Sequence, residues 1–290
     1  MDFSITGHTR LGGLLGSPVA HSISPMMHND SFRHLGLDCV YLCFDVAPAR
    51  LPGVVSALRD MNVYGFNLTM PDKEAVIPCL DQLSLEAELI GAVNTVKNED
   101  GILTGYNTDG IGYMQAVRYA GYDVIGKEMT LLGAGGAASA IAVQAAIDGV
   151  SHLHLVSRRG HSWAKAEALV EKINSRTSCH ADLTDLADST TLRSLLERST
   201  LLTNATSAGM APHTDLTPLS DSSLLHPDLV VSDIIYNPRQ TRLLTEAKQA
   251  GCAVFNGMYM LLYQGAAAFQ IWTGHEMPVE LIRARYFKAE

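Results

Sequence analysis

Leu131-Leu132-Gly133-Ala134-Gly135-Gly136-Ala137-Ala138 decides how the rest of the chain is read. A β-type run from Met129 to Leu132 leads into it and an Ala-rich helical stretch follows, so Gly133, Gly135 and Ala138 fall on the spacing G-x-G-x-x-A. Small residues at those positions let the backbone and a helix N-terminus approach a pyrophosphate. A second strand ending at Val156 supplies the strand, helix, strand context that separates a dinucleotide site from a glycine-rich turn used only for packing. The second strand of such a unit normally ends in an Asp or Glu that holds the ribose diol of NAD, yet this chain reads Val156-Ser157-Arg158-Arg159-Gly160. Two guanidiniums there suit a bidentate clamp on a 2′-phosphate and favour NADP; one stacking on adenine with the other in solvent leaves NAD open.

Outward from this unit the same rhythm continues. Strands are expected at His154 to Val156, Leu201 to Asn204, Leu229 to Asp233 and Ala253 to Phe255, with helices at Ala164 to Ile173 and Thr241 to Ala250. Towards the N-terminus, runs at Gly12 to Gly16, Tyr41 to Val46 and Gly65 to Thr69 separate helix-like stretches such as Pro48 to Met61. This is the βαβα order of an α/β fold. The rhythm pauses at Asn107 to Gly110, before a helical stretch from Ile111 to Ala120. Two domains are therefore expected. Residues 1–109 form one, completed by C-terminal helices over 258–290, and residues 110–257 form a Rossmann-type nucleotide domain. The Ala- and Leu-rich segment Met260 to Trp272 must bury one face, which suits a return to the first domain.

Bulk properties narrow the chemistry. At 290 residues and 47% hydrophobic, the chain can build two cores. Its net charge of −9 argues against nucleic acid and acidic membrane as partners and for small-molecule chemistry. Cys39, Cys43, Cys79, Cys179 and Cys252 show no zinc spacing and read as reduced thiols. Met1 to Arg10 lacks a leader-like apolar core and no stretch is long enough for a bilayer, so a cytoplasmic location is expected.

The first domain carries the candidate chemistry. Asn67-Leu68-Thr69-Met70-Pro71-Asp72-Lys73 delivers one ammonium from an apolar strand into a setting of amide and hydroxyl groups. Partial loss of hydration disfavours its charged form and suits proton exchange with an alcohol or ketone, although a surface lysine opening a helix has the same local sequence. Ser22 and Ser24, within Gly16-Ser17-Pro18-Val19-Ala20-His21-Ser22-Ile23-Ser24-Pro25, offer hydroxyl donors for a carboxylate or serve as caps for the helix that Pro25 opens. Asn94, in Gly91 to Val96, and Asp109, in Gly105 to Gly110, are turn formers when taken singly. With Lys73 they read as a group at the carboxyl ends of strands, where open α/β sheets collect ligands.

Taken in order, these pieces resemble the shikimate dehydrogenase family, most closely its quinate/shikimate dehydrogenase branch, over nearly the whole length. The matching motifs are G-x-P-x-x-H-S-x-S-P at 16–25, N-x-T-x-P-x-K at 67–73, G-A-V-N-T at 91–95, N-T-D-G at 107–110, G-A-G-G-A at 133–137, N-A-T-S-A-G-M at 204–210, Tyr236-Asn237-Pro238, and Gly257 followed by Met260-Leu261 and Gln264-Gly265. The resemblance implies a substrate domain and a nucleotide domain facing across a cleft. It implies Lys73 and Asp109 as the catalytic pair, and Ser22 and Ser24 on the substrate carboxylate with Tyr41 and Tyr236 assisting. Thr69, Asn94, Thr108 and Gln264 would orient ring hydroxyls. For the nucleotide it points to Gly133, Ala134, Gly135, Gly136 and Ala137, to Ser157, Arg158 and Arg159, and to Ser207, Ile234 and Gly257.

The implied reaction is reversible hydride transfer between C3 of shikimate or quinate and the nicotinamide of NADP or NAD, without need of a metal, and a homodimer is admitted. Family members that use NADP carry Asn-Arg-Thr and a later Arg after the second strand, and the branch tolerating NAD tends to Asn-Arg-Arg-Asp. Ser157-Arg158-Arg159-Gly160 matches neither, which leaves cofactor choice open. Two rivals are a non-catalytic shikimate or nucleotide sensor on the same fold, against which both Lys73 and Asp109 argue, and a folate-linked dehydrogenase, against which the paired serines and the N-T-D-G segment count.

Overall fold

The computed structural model describes residues Ser4–Phe287; the outermost residues of the expected substrate domain, 1–3 and 288–290, lie outside them. The chain divides into two compact units, one holding the described residues up to Thr108 and from Leu262 onward, the other Asp109–Leu261.

The first unit contains β1 (Arg10–Gly16), α1 (Ser24–Leu35), β2 (Cys39–Asp45), α2 (Leu51–Asp60), β3 (Gly65–Leu68), α3 (Asp72–Ala75), β4 (Gln82–Leu83), α4 (Leu85–Ile90), β5 (Thr95–Glu99) and β6 (Ile102–Tyr106). Its sheet has the order β2-β1-β3-β5-β6-β4. β1 runs parallel to β2 and β3, as expected of βαβ units, whereas β5 runs antiparallel to both β3 and β6. The β5 to β6 hairpin was not foreseen, although Asp100-Gly101 announces it. Both residues have positive φ, 52° and 87°, as a two-residue turn between twisted strands requires. The hairpin also corrects one expectation. Asn94 does not end a strand but precedes β5, and because β5 opposes β3 with Asn67 paired to Thr95, the start of β5 lies at the edge where β3 stops.

Spacing explains the packing. Leu51, Val55 and Leu58 recur on one face of α2 and join Leu15, Phe66, Leu68, Val96 and Leu103 in a core under the sheet. Elsewhere in this unit Phe32, Tyr41, Phe269 and Trp272 surround His28, whose ring lies 4.5 Å from that of Tyr41 and 5.3 Å from that of Trp272, and Tyr64 packs on Trp272. Burial lowers the His28 pKa to about 3, so the ring is neutral and acts as a core residue. Trp272 donates from Nε1 to the Val96 carbonyl at 2.9 Å. Asp30 receives Arg33, Arg285 and Tyr286, tying α11 (Val279–Tyr286) to α1.

The second unit contains α5 (Asp109–Tyr119), β7 (Glu128–Leu132), α6 (Gly136–Asp148), β8 (His152–Ser157), α7 (Trp163–Arg176), β9 (His180–Asp185), α8 (Ser189–Arg198), β10 (Leu201–Asn204), β11 (Val230–Asp233), α9 (Arg242–Gln249) and β12 (Ala253–Asn256). α10 (Met258–Thr273) begins in this unit and continues into the first. Every pairing in the order β12-β11-β10-β7-β8-β9 is parallel. That is a doubly wound sheet, with its switch point between β7 and β10. Its central strands β10 and β11 are buried along their length, as expected where helices cover both faces. Among the described residues no helix is long and apolar enough to cross a membrane.

Candidate active site

Lys73 is half-buried near the start of α3, a four-residue helix reached from β3 through the turn Thr69 to Asp72, in which the Asp72 N–H donates to the Thr69 carbonyl at 3.0 Å. The Lys73 carbonyl accepts the Val93 N–H at 2.8 Å, fastening the lysine turn to the segment that carries Asn94. Asn94 is 2% exposed and held by a directional chain of hydrogen bonds. The Thr108 N–H, which can only donate, reaches its Oδ1 at 2.9 Å. The same oxygen accepts from Thr95 Oγ1 at 2.9 Å and from Thr108 Oγ1 at 3.2 Å. Thr95 Oγ1 accepts in turn from Asn67 Nδ2, which also donates to the Asn94 carbonyl at 3.0 Å. With Nδ2 committed to a backbone acceptor, Asn67 Oδ1 must face the Tyr41 hydroxyl, which donates at 2.6 Å. The orientation of each amide in this chain is thus fixed by an obligatory backbone partner.

Tyr41, expected to assist at the carboxylate, is fully buried and donates to Asn67 instead. A large aromatic on a strand that α1 covers has more apolar surface to bury than a ligand site offers it. Sequence reasoning assigned nothing to Asn67 or Thr95, although both lie in quoted motifs. The available signal was a polar residue inside the wholly buried β3.

Ser22 and Ser24 are half-buried at the head of α1. The cap position is Ile23, which makes no side-chain bond, and Ser24 already lies in the helix. The first turn of this 12-residue helix holds no acidic residue, so no carboxylate of its own opposes an anion at its N–H groups and serine hydroxyls. The Ser22 hydroxyl accepts the Ser24 N–H at 3.2 Å and is also a partner of the partly buried Cys43 thiol. Thr69 is half-buried just beyond β3, with its N–H on the Leu15 carbonyl at 3.0 Å, and Gln264 is half-buried on α10. Asp109 is half-buried and opens α5 in the second unit, where Tyr236 is 51% exposed.

Asp72 was not singled out. It is completely buried, and neither carboxylate oxygen has a hydrogen-bond partner among the described residues. Burial raises its pKa. A folded-state pKa above the unfolded value gives a contribution that is complete below the unfolded value and is lost as pH rises through the folded one. Asp72→Asn is therefore expected to stabilise the protein at neutral pH by on the order of 1 kcal/mol, with the gain fading towards acid. Urea denaturation across pH checks this; a variant less stable than the parent at neutral pH would refute it.

The nucleotide candidates gather at the carboxyl edge of the second sheet. Gly133 follows β7 and donates to the Val156 carbonyl at 2.8 Å. Gly135 is the extended cap of α6 and offers no side chain, so the first N–H groups of a 13-residue helix have no side-chain cap. A Cβ built at Gly135 or Gly136 meets nothing within 4 Å, and Ala134 and Ala137 are half-exposed beside them. An open, uncapped helix start with no side chains in the way fits a pyrophosphate. Ser157 is buried at the end of β8, while Arg158 and Arg159 are exposed.

Ser207 and Ile234 follow β10 and β11, on loops joined by a buried carboxylate that the sequence reading passed over. Asp233 Oδ1 accepts from Asn204 Nδ2 at 3.1 Å and from the Ile235 N–H at 3.0 Å, and its Oδ2 accepts from Thr241 Oγ1 at 2.7 Å. Burial pushes its pKa up against these three bonds. Gly257 is buried where β12 gives way to α10.

The shikimate dehydrogenase substrate binding domain matches residues 14–96, and the shikimate 5′-dehydrogenase C-terminal domain matches 257–285. A Listeria monocytogenes protein named shikimate dehydrogenase (NADP(+)) is 52% identical over 283 residues, covering 98% of this chain and 97% of its own. A quinate/shikimate dehydrogenase of Escherichia coli is 41% identical over 279 residues, covering 96% and 97%. The crystal structure of shikimate 5-dehydrogenase from Listeria monocytogenes in complex with shikimate and NAD superposes with a TM-score of 0.94, at 52% identity and 97% coverage of both chains. With the lysine turn, the serine-headed helix and the doubly wound sheet all present, the chain belongs to the shikimate dehydrogenase family.

Proposed function

We propose that the protein is a shikimate dehydrogenase that oxidises the C3 hydroxyl of shikimate reversibly to 3-dehydroshikimate with NADP or NAD, and that quinate is a second substrate, giving 3-dehydroquinate. The observation that carries the reading is the half-buried Lys73 turn, fastened through Val93 beside an Asn94 amide of fixed orientation. The first unit takes the substrate and the second the nucleotide, and Asp109 belongs with Lys73 functionally although it opens the second unit.

In the oxidation, Lys73 accepts the proton of the C3 hydroxyl, and in the reverse direction returns it. Asp109 completes the pair through its charge, which favours the ammonium that forms as Lys73 takes that proton. Ser22, Ser24 and the start of α1 hold the ring carboxylate, with Tyr236 nearby in function. Asn94 and Thr108, locked from behind by Thr95 and Asn67, orient the ring hydroxyls together with Thr69 and Gln264. Tyr41 acts from behind, through Asn67. The nucleotide, when bound, supplies the hydride acceptor. Its pyrophosphate would lie on Gly133 to Ala137, its adenosine at Ser157 to Arg159, and its nicotinamide end at Ser207, Ile234 and Gly257. We place the enzyme in the cytoplasm, and a homodimer is admitted as its assembly.

Shikimate and quinate, each paired with NADP and with NAD, form the test, read as absorbance of the reduced nicotinamide. Turnover is expected to be fastest for shikimate, with measurable quinate oxidation. Binding of shikimate and nucleotide without reduction in any of the four pairs would make the protein a sensor.

A further inference from the structure

We infer that Asp185, at the end of β9, sets the choice between NADP and NAD by holding Arg159 away from the adenosine 2′-phosphate. The inference rests on the proposed function only in that the second unit binds a dinucleotide. In a doubly wound sheet the adenosine ribose is read at the end of the second strand, here β8. That strand ends in Ser157, with no acid in the following residues, but its partner in the ladder at that point is Asp185 on β9. The acid missing from the sequence motif therefore stands one strand away.

Asp185 is engaged with Arg159. Its Oδ2 takes Arg159 Nε at 3.1 Å, and its Oδ1 accepts the Ala187 N–H at 3.0 Å, so the backbone orients the carboxylate. The Arg159 guanidinium lies over the Trp163 ring at 4.4 Å. Ion pair and stack together keep this guanidinium in one place, whereas Arg158 is exposed and makes no side-chain hydrogen bond or ion pair among the described residues. A 2′-phosphate thus meets one uncommitted guanidinium, and a carboxylate beside it opposes its charge. The sequence offers two arginines for the phosphate and the fold withholds one. NAD has no phosphate at that carbon and loses nothing by this arrangement, which lets one site serve both nucleotides.

The pair is a surface one, with Arg159 70% and Asp185 27% exposed, so its hold amounts to a modest factor. Asp185→Asn keeps an oxygen for the Ala187 N–H while removing the charge that holds Arg159. Calorimetric titration of the ligand-free enzyme with each nucleotide is expected to show NADP bound about fivefold tighter in this variant, from the freed arginine and the lost repulsion. NAD should stay within about twofold of wild type, and the gain for NADP should shrink in high salt. In Asp185→Asn combined with Arg159→Ala the gain should fall to the smaller part owed to the lost repulsion, about twofold or less. Asp185→Ser carries the same expectations if the Asn variant does not fold. Unchanged NADP affinity, an equal gain for both nucleotides, or a gain as large without Arg159 as with it would overturn the inference. Wild-type protein that binds both nucleotides yet oxidises neither shikimate nor quinate would end the dehydrogenase reading and leave this result standing.

Discussion

Lys73→Ala is expected to lower kcat for shikimate oxidation by about 10²- to 10⁴-fold, with the Kd for the nucleotide within about twofold of wild type. The first figure is what a positioned acid-base group is worth. The second follows from the assignment of Lys73 to the unit that does not contain the doubly wound sheet. Alanine should disturb the surroundings little, because Lys73 holds the neighbouring segment through its backbone carbonyl, which Val93 continues to find in the variant. The amide of Asn94 is oriented by Thr95 and Thr108, neither of which depends on the lysine side chain for those bonds. Loss should therefore fall mainly on kcat and less on KM, as expected when the missing group acts on the proton in flight. Lys73→Arg sharpens the measurement: it keeps a cation at this position but replaces a group that can give up its proton with one that does not. Steady-state kinetics beside calorimetric nucleotide binding decide the matter. Wild-type turnover in Lys73→Ala, or an equal collapse of nucleotide affinity, would remove the lysine from the chemistry.

What was legible beforehand differs between the two units for a physical reason. A parallel sheet covered on both faces writes its strands as apolar runs separated by helices, and Leu201 to Asn204 could be bounded to the residue. The glycine-rich turn after β7 and the helix it opens were equally plain. In the first unit the β5 to β6 hairpin departs from that rhythm. Its strands, Thr95–Glu99 and Ile102–Tyr106, are short and partly polar, and only Asp100-Gly101 betrays the turn. Reading Asn94 as the end of a strand followed from assuming parallel order throughout. Asn94 nevertheless lies beside the lysine turn, because an antiparallel neighbour begins where β3 ends.

The candidate site divides in the same way. Lys73, the serines and Asp109 were visible because charged or hydroxyl groups beside glycine and proline stand out in sequence. Asn67, Thr95 and Asp233 were not, because each acts through partners brought from distant positions: Asn67 meets Thr95 across 28 residues, and Asp233 meets Asn204 across 29. Asp185 belongs to this class too. Its place beside the arginines is a property of strand order, which puts β9 next to β8, and no local motif records it.

Gly257→Ala is expected to cost about 3 kcal/mol of stability, seen as a melting temperature lower by roughly 6–12 °C. A Cβ at this position would stand 2.7 Å from Ile234 Cα and closer still to the carbonyl carbon and oxygen of that residue. All three are backbone atoms, so no change of rotamer relieves the overlap, and one of the two chain segments must move. Either movement is resisted. The Gly257 N–H donates to the Ile235 carbonyl at 3.3 Å, and the Ile235 N–H is held at 3.0 Å by the buried carboxylate of Asp233. That carboxylate also secures Asn204 and Thr241, so displacement at Gly257 strains the loop after β10 and the start of α9 as well. The same loops bear Ser207 and Ile234, and nucleotide binding should weaken together with the melting temperature while shikimate binding changes less. The family resemblance attributes this glycine to the approach of the nicotinamide. The close packing on Ile234 predicts something more: the ligand-free protein is already destabilised by the added methyl group. A Gly257→Ala variant that melts like wild type and binds nucleotide poorly would mean that the small residue serves only the ligand, whereas a lowered melting temperature without ligand makes it first a requirement of the fold.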